Sequence, residues 1–410
     1  MGVAAERPLL HEALGICGHT VRFEAEKYRP AFSQVRDYHP VGWDLGDDTA
    51  VPPPWPSAKN RVNWESVYGG WKRAGFRTNA CLMLSNLDFG KWKKLPDDAR
   101  AYGRGFAENF GPSGRGLVET VEIGNEPGHY SDEEYGKIFT AMASGIREGD
   151  PKLRIATCAA RAQPSGKYFK SLDLFREHLD LVDVITMHVY AETGGWPTWP
   201  RTFPEDPDTD FLTRVEEVVA WRDRHAEGRP VWVTEYGWDA TTRMDERSGT
   251  FARWEGNVSD EAQAAYLVCA TALLLDRGAE RVFVYFFDDK DEPQLHGSSG
   301  VMRLGKPKPS FHALAQMCSE LGDFRLLRIV EQPRDVRVSL WEDGDGNQKL
   351  LLWRGVAAGG ESAPARFRWP RKPECLAMAQ GAEGAAAVSD ERTGDDQWQV
   401  EVGPVPVYVK

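Results

Sequence analysis

Eight short runs of apolar residues, each followed by a stretch of helical periodicity, constrain the fold of most of the chain. The runs show no alternation of apolar and polar residues, which is typical of parallel strands covered on both faces. Eight strand–helix units over roughly 320 residues predict an α/β fold, the (β/α)8 TIM barrel. The alternative, a doubly wound open sheet, would carry a glycine-rich phosphate turn after an early strand, and the sequence has none. The predicted strands cover residues 14–19, 35–39, 76–84, 117–123, 153–158, 182–188, 231–234 and 282–287.

Beyond residue 322 the pattern changes to short strands in which apolar and polar residues alternate. Turn-rich pieces separate them, among them the acidic run 342–347. This run lacks the twelve-residue ligand pattern of a calcium loop, so it favours a hairpin turn. We therefore predict a barrel over residues 1–322 and a small all-β sandwich domain over residues 323–410.

Composition argues against several classes of function. A net charge of −12 argues against a nucleic-acid or anionic-membrane partner, and no apolar run is long enough to span a bilayer. The six cysteines show no metal-ligand spacing, so we interpret them as reduced structural residues and predict neither a metal nor a cofactor. The N-terminus lacks the layout of a signal peptide, which is expected of a cytoplasmic protein or of a secreted one whose leader has been removed.

Two glutamates in matching positions form the main candidate site. Glu126 follows the fourth predicted strand, and Glu235 follows the seventh. Catalytic groups of a barrel lie at the C-terminal ends of its strands, so the two carboxylates would face each other across the mouth. Cleavage of a glycosidic bond requires such a pair, one protonated to release the leaving oxygen and one ionised to attack the anomeric carbon. The 15 Trp and 12 Tyr residues would supply stacking faces for sugar rings.

Further polar and aromatic residues fall at the predicted strand ends or in the loops that follow them. They are candidate substrate-binding residues because one face of the barrel would collect them. These candidates are Arg36, His39, Trp43, Asn125, His188, Tyr190, Trp196, Tyr236, Trp238, Phe287 and Asp288. Three other residues at strand ends are His19, Tyr38 and Asn86.

Several of these segments resemble motifs of clan A glycoside hydrolases. Residues 123–127, Ile-Gly-Asn-Glu-Pro, resemble the acid/base motif of the fourth strand, and residues 233–237, Val-Thr-Glu-Tyr-Gly, resemble the nucleophile motif of the seventh. Arg36 matches the arginine of the second strand, and His188 with Tyr190 matches the His/Tyr pair of the sixth. The resemblance covers the barrel, and the C-terminal β-domain is most similar in layout to family 39 enzymes.

The resemblance implies a retaining double displacement on a β-type bond in an oligo- or polysaccharide. Glu126 would be the general acid/base and Glu235 the nucleophile, with carboxyl groups about 5 to 5.5 Å apart. Asn125 would hold the 2-hydroxyl of the sugar. Arg36 would keep Glu235 ionised, because a nearby cation lowers the pKa of a carboxyl group. His188 and Tyr190 would orient the two carboxylates.

The end of the eighth strand departs from the clan pattern. Clan members often place a Trp there as the floor of the reacting-sugar site, whereas this chain has Tyr285, Phe286 and Phe287. Either a Phe forms the floor or a Trp from another loop does so, with Trp43 and Trp238 as candidates. The acidic run 288–292 that follows would bind hydroxyls or a cation, or form a solvated loop.

The long loop 194–201 would be a sugar-stacking wall or a lid on the barrel rim. An open aromatic groove would favour endo-action, and a closed pocket exo-action. Arg161, Lys167 and Arg201 are candidates for an anionic sugar or are solvated surface residues.

Two hypotheses from other classes stay open. One is a carbohydrate-binding barrel without catalysis, and the other is a structural or partner-binding protein that uses the β-domain.

Overall fold

The computed structural model describes residues 7–18, 24–85, 87–163 and 168–410. His19, Asn86 and Lys167 lie outside these ranges. Eight parallel strands follow one another around a barrel, and β1 pairs with β8. A parallel bridge between Ala156 and Val184 joins the remaining two edges, so the TIM barrel is confirmed. The strands are β1 (Leu14–Gly18), β2 (Gln34–Pro40), β3 (Arg77–Met83), β4 (Thr120–Ile123), β5 (Arg154–Ala156), β6 (Ile185–His188), β7 (Val231–Tyr236) and β8 (Arg281–Val284).

Helices cover the outside of the barrel. The α-helices are α1 (Leu10–Ala13), α2 (Ala25–Tyr28), α3 (Val41–Leu45), α4 (Trp64–Arg73), α5 (Asp97–Phe110), α6 (Asp132–Gly149), α7 (Phe211–His225), α8 (Asp260–Asp276) and α9 (Pro309–Leu321). The 3-10 helices are Phe89–Lys91, Leu172–Leu181, Met244–Glu246, Gly249–Phe251 and Val356–Ala358. Five two-residue strands lie in loops: Ala160–Arg161, Lys170–Ser171, Asp288–Asp289, Met302–Arg303 and Lys306–Pro307.

Local sequence signals explain where several helices begin and end. Asn63 accepts a hydrogen bond from Ser66 N and caps α4, and Ser131 opens α6 with a capping box, as the sequence predicts. The sequence pattern predicts a helix over residues 26–34, but α2 ends at Tyr28, because Pro30 has no N–H with which to continue it. The pattern also predicts a helix over residues 168–179, where the structure has the 3-10 helix Leu172–Leu181, with a non-helical backbone at His178.

The interior of the barrel is packed with side chains beneath its mouth. Inward-facing residues of five strands or strand ends form one apolar cluster around Trp232 and Phe283. Gly15 belongs to this packing, because a Cβ atom there would lie 2.5 Å from the Phe283 ring. The barrel is therefore a filled scaffold that holds its functional groups at the upper rim.

The C-terminal strands form a sandwich of two antiparallel sheets. The five-stranded sheet has the order β9-β10-β11-β16-β13, and the three-stranded sheet has the order β12-β15-β14. The strands are β9 (Arg325–Gln332), β10 (Val336–Glu342), β11 (Gln348–Arg354), β12 (Ala363–Arg368), β13 (Cys375–Ala377), β14 (Asp390–Gly394), β15 (Gln397–Val402) and β16 (Val407–Val409). The sequence did not predict β13 or β14; β14 is mostly exposed and forms through its pairing with β15, so it has no apolar pattern.

The run 342–347 makes the predicted hairpin turn between β10 and β11. Asp343 N donates to Asn347 O at 3.0 Å, and the Asp343 carboxylate accepts from Asp345 N at 2.9 Å.

The barrel and the sandwich share apolar packing. Trp341, Leu351 and Trp353 belong to the same cluster of buried residues as the barrel helices. Helix α8 is apolar around most of its surface because β9 contacts it on one side and barrel elements on the other. Within the described ranges, no helix combines the length and hydropathy needed to cross a membrane.

Candidate active site

The turn after β4 places Asn125 and Glu126 at the barrel rim. Gly124 has a φ of +89°, a left-handed conformation that residues with a Cβ atom rarely adopt. Its N–H donates to Leu82 O at 2.9 Å, and Asn125 O accepts from Ala159 N at 3.1 Å. These bonds tie the turn to β3 and to the loop after β5. The turn is therefore held in place on both sides.

A bulge in β7 aims Glu235 into the barrel. Between Val233 and Glu235, β7 has one residue more than β6, and its register against β8 shifts at the same place. Trp232 faces the barrel interior, so an unbroken alternation would turn Glu235 outward. The extra residue reverses the alternation, which is a common use of bulges beside functional sites.

Three side chains hold the carboxylate of Glu235. Arg36 Nη1 and the Tyr38 hydroxyl each donate to Oε1 at 2.7 Å, and the Tyr190 hydroxyl donates to Oε2 at 2.9 Å. Burial alone would raise the pKa of this carboxyl group. The charges of His188 and Arg36 and the two hydroxyl bonds outweigh burial and hold the pKa of Glu235 well below its usual range. The group is an anion in a nearly dry site.

Arg36 lies fully buried between two carboxylates. Its Nε and Nη2 donate to Glu122 at 2.7 and 3.0 Å, on the side opposite Glu235. Nη2 also donates to Asn125 Oδ1 at 2.7 Å. Since its oxygen is engaged, Asn125 has its amide N–H groups as the donors that it can offer to the cavity.

Glu126 has a different environment. Its side chain is 27% exposed, and its Oε1 lies 2.9 Å from His188 Nδ1. The same ring nitrogen lies 3.5 Å from Glu235 Oε2. Ligand atoms of Glu126, His188 and Glu235 all lie within 4.8 Å of one another, the one such group found among the described residues that would suit a metal ion. Both oxygens of Glu235 already accept hydrogen bonds, so the group fits proton transfer and nucleophilic attack better than metal binding.

Two cavities meet at Glu126. The smaller has a volume of about 380 Å³ and contains Asn125, Glu235, Tyr285 and Phe286 in its wall. The larger has a volume of about 830 Å³ and extends past His188 to the loops after β5 and β6. Glu126 and His296 line both.

Six predicted site residues come together in this arrangement: Arg36, Asn125, Glu126, His188, Tyr190 and Glu235. The four strands that carry them, β2, β4, β6 and β7, are far apart in the sequence, and the barrel brings their ends into one opening.

Other candidates point away from the cavities because of strand alternation. His39 faces the helices, where its ring stacks on Trp64 and Nδ1 lies 2.6 Å from the Tyr68 hydroxyl. Tyr236 follows the bulge and also points outward, 2.7 Å from Thr271 Oγ1 on α8. The substrate-binding roles predicted for His39 and Tyr236 are not supported by these positions.

The predicted roles of Trp238, Phe287 and Asp288 are also corrected. The indole of Trp238 is buried and donates to Thr202 O at 2.5 Å. Phe287 packs on Tyr28, and Asp288 accepts from a backbone N–H of the following hairpin at 2.8 Å. Phe286 and Tyr285 occupy the cavity wall where the clan pattern has a Trp.

The loop candidates have separate positions. Trp43 stacks on Trp64, with ring centroids 6.3 Å apart, rather than in a cavity. Trp196 is 71% exposed, and the preceding residue, Gly195, lines the larger cavity. Arg161 lies in the same wall, 3.9 Å from the centre of the Phe169 ring.

Charged groups that the sequence left open are mostly paired within the protein. Arg201 donates to Gly237 O at 2.7 Å and lies 3.2 Å from Glu192. In the acidic run, Asp289 forms a buried ion pair with Lys308 at 2.8 Å. Asp291 lies 3.2 Å from Arg303 and accepts bonds from Thr242. These two aspartates therefore neither form a solvated loop nor face a sugar.

Sequence reasoning missed several residues at the site. Tyr38, which the sequence placed at a strand end without a role, donates to Glu235, and Glu122, which the sequence did not single out, accepts from Arg36. Tyr38 had a usable signal, because it shares the inward side of β2 with Arg36. His296 had no signal, since it comes from the loop after β8. Burial, then the charge of Arg201, lowers the pKa of His296 to about 4, so its ring is neutral at neutral pH.

Comparison with known proteins supports the fold assignment. No family model matches the chain. The chain superposes with a TM-score of 0.71 on a family 39 glycoside hydrolase from the gut symbiont Bacteroides cellulosilyticus WH2, at 16% identity over 98% of this chain and 81% of that one. A glucosidase from Croceicoccus marinus gives a TM-score of 0.69 at 15% identity, over 98% and 96% of the two chains. The chain has the fold of clan A glycoside hydrolases.

A sequence relative matches a small part of the chain. The intracellular exo-alpha-(1->5)-L-arabinofuranosidase of Streptomyces lividans is 30% identical over 116 residues. The match covers 25% of this chain and spans 16% of the length of that relative.

Proposed function

We propose that the protein is a retaining glycoside hydrolase that cleaves a β-type O-glycosidic bond in an oligo- or polysaccharide. The observation that carries the proposal is the pair Glu126 and Glu235 at one barrel mouth. One is a buried anion, and the other is partly exposed between two cavities. The shared fold with glycoside hydrolases gives independent support.

The spacing of the pair favours retention of configuration. Carboxylate oxygens of Glu126 and Glu235 lie within 4.8 Å of each other. Retaining enzymes hold their carboxyl groups about 5 to 5.5 Å apart, whereas inverting enzymes need about 6.5 to 9.5 Å to admit a water molecule. The present spacing suits direct attack by one carboxylate on the sugar.

The roles follow from the environments. Glu235, kept ionised by Arg36, attacks the anomeric carbon, the bond to the leaving oxygen breaks, and that oxygen takes the proton of Glu126. In the second step Glu126 takes a proton from water, whose oxygen attacks the same carbon and releases Glu235. Among the described residues, two side chains donate to Oε1 of Glu235, whereas the Tyr190 hydroxyl alone donates to Oε2, so Oε2 is the better attacking oxygen.

Neighbouring groups would stabilise the transition state. The Asn125 amide is oriented by Arg36 to donate to the sugar 2-hydroxyl, a bond that strengthens as positive charge develops on the ring. Tyr285 and Phe286 give the smaller cavity an aromatic floor.

The test is hydrolysis of a panel of aryl glycosides, followed by chemical rescue. We expect Glu235→Gly to lower kcat at least about ten-thousand-fold. Added azide should restore turnover of an activated aryl glycoside and give a glycosyl azide of inverted configuration. Glu126→Gly should instead give an azide of retained configuration, because azide then replaces the water of the second step. Glu108→Ala, an exposed carboxylate on α5, is the control and should leave kcat unchanged.

Failure of azide rescue in a folded Glu235→Gly variant would contradict the nucleophile assignment. Sugar binding without turnover on any glycoside would indicate a carbohydrate-binding barrel instead.

A further inference from the structure

The two cavities at Glu126 differ in size by more than a factor of two. The smaller one holds Glu235 and so receives the sugar that is attacked. The larger one lies on the other side of Glu126, where the leaving group must be because Glu126 protonates its oxygen. If the smaller cavity takes one sugar, the larger one has room for more than one. This step rests on the proposed function.

Two exposed aromatic residues belong to the segments that form the wall of the larger cavity. Among the large apolar residues of the described ranges, Tyr168 and Trp196 are the aromatic ones that are exposed, at 52% and 71%. Tyr168 lines the cavity directly. Trp196 lies in a turn closed by a bond from Trp199 N to Gly195 O, and both of those residues line the cavity. Exposed aromatic side chains beside a cavity are suited to stacking on the apolar face of a sugar ring.

The wall of the larger cavity has more acidic than basic side chains. Its acidic residues are Glu126, Glu192, Asp208 and Asp210, and its basic residues are Arg161 and Arg214. Arg214 forms an ion pair with Asp210, and the guanidinium of Arg161 lies over the Phe169 ring. An excess of carboxylates beside aromatic faces suits the hydroxyl groups and apolar ring faces of neutral sugars better than an anionic chain.

We propose that the larger cavity binds an oligosaccharide leaving group of at least two neutral sugars, and that Trp196 and Tyr168 are its stacking platforms. The enzyme then accepts one sugar on the nucleophile side and releases it from the end of a longer chain. Trp196 and Tyr168 determine chain-length preference and take no part in the chemistry.

The experiment compares arabino-, xylo- and cello-oligosaccharides from disaccharide to pentasaccharide with the corresponding aryl glycosides. In wild type, kcat/KM should rise from disaccharide to tetrasaccharide, with a monosaccharide as the first product. Trp196→Ala and Tyr168→Ala should each lower kcat/KM on the longer chains by about three- to tenfold, mainly through KM. Aryl glycoside hydrolysis should change less than about twofold, because the platforms lie beyond the first leaving-group site.

Leu304→Ala is the control, since Leu304 is 67% exposed on a hairpin away from this wall and should have no effect. Equal kcat/KM for all chain lengths, or oligosaccharides as first products, would overturn the inference while aryl glycoside hydrolysis upheld the proposed function. Loss of aryl glycoside hydrolysis in wild type would instead overturn the proposed function itself.

Discussion

Arg36 carries its charge in the interior of the barrel, where an unpaired cation would be strongly destabilised. It is stable there because Glu122 and Glu235 flank it and Asn125 accepts a further hydrogen bond. One guanidinium therefore favours the ionised form of Glu235, the proposed nucleophile, and orients the amide of Asn125 beside it. The two functions depend on the same side chain, so its substitution should affect both binding and pH dependence.

We expect Arg36→Gln to shift the acid limb of kcat/KM to higher pH. Glu235 must be ionised to react, and loss of the cation raises its pKa, so activity is lost earlier as the pH falls. At neutral pH kcat/KM should drop about tenfold or more, because Glu235 loses its charge-assisted hydrogen bond from Arg36. Tyr38→Phe removes a neutral donor from the same oxygen and should give a smaller shift in the same direction.

The check is a pH–rate profile of each variant, with circular dichroism to establish folding. Arg77→Gln, which breaks an exposed pair with Glu119, should leave the profile in place. An acid limb that stays fixed in folded Tyr38→Phe and Arg36→Gln proteins would refute the role of this network.

At the scale of elements, the sequence predicted the barrel well and the direction of individual side chains less well. The strands are visible in the sequence as unbroken apolar runs, and Glu126 and Glu235 directly follow two of these runs. Both are local signals, so they could be identified from the sequence. Alternation along β2 would have selected Tyr38 and rejected His39, had it been counted from Arg36. The bulge in β7 arises from its pairing with both neighbouring strands and reverses the inward–outward alternation of its side chains. No residue pattern in 231–236 predicts it.

A loop that shapes the larger cavity is fastened to the sandwich domain. Trp353 Nε1 on β11 donates to Glu205 Oε1 at 2.6 Å. The next residue, Asp206, accepts hydrogen bonds from the Thr202 hydroxyl and from Asp208 N. Asp208 and Thr209 line the larger cavity. Burial raises the pKa of Glu205, and the indole bond opposes that rise.

We expect Trp353→Phe to destabilise the protein by about 1–3 kcal/mol at neutral pH, because a largely buried carboxylate loses its donor. The cost should shrink as the pH falls. A carboxyl group whose pKa is raised by folding makes the protein less stable as the pH rises through that pKa. Trp353→Phe raises the pKa of Glu205 further, so it lowers the free energy of unfolding more at pH 7 than at pH 5. Urea unfolding at pH 5 and pH 7 measures the difference.

Trp398→Phe is a matched control, since its indole donates to the backbone carbonyl of Trp369 at 3.0 Å. That acceptor does not titrate, so Trp398→Phe should lower the free energy of unfolding by the same amount at pH 5 and pH 7. Equal pH dependence of the two variants would show that Glu205 is not the partner that matters.

At the scale of the whole molecule, the inner strands β10 and β11 of the five-stranded sheet have buried side chains on both faces. Val338 and Leu352 point toward the second sheet, whereas Trp341 and Trp353 point toward the barrel. The barrel cluster thus continues through α8 into this sheet. Such continuity is unlike a domain joined by a linker, whose interface would be small and polar.

We therefore expect truncation after Gly322 to destabilise the barrel. The cut removes Trp341, Leu351, Trp353 and Tyr408 from the shared cluster and exposes the apolar side of α8 to water. The truncated chain should unfold at a temperature several degrees lower than the full chain and should scatter more light. Its kcat/KM on an oligosaccharide should fall more than that on an aryl glycoside, because the loop anchored by Trp353 lines the larger cavity, the proposed site of the leaving group. Arg392→Ala, on the exposed strand β14, controls for changes within the sandwich that leave the interface intact. An unchanged unfolding temperature together with full activity would mean that the sandwich is an independent module, and would favour a partner-binding role for it.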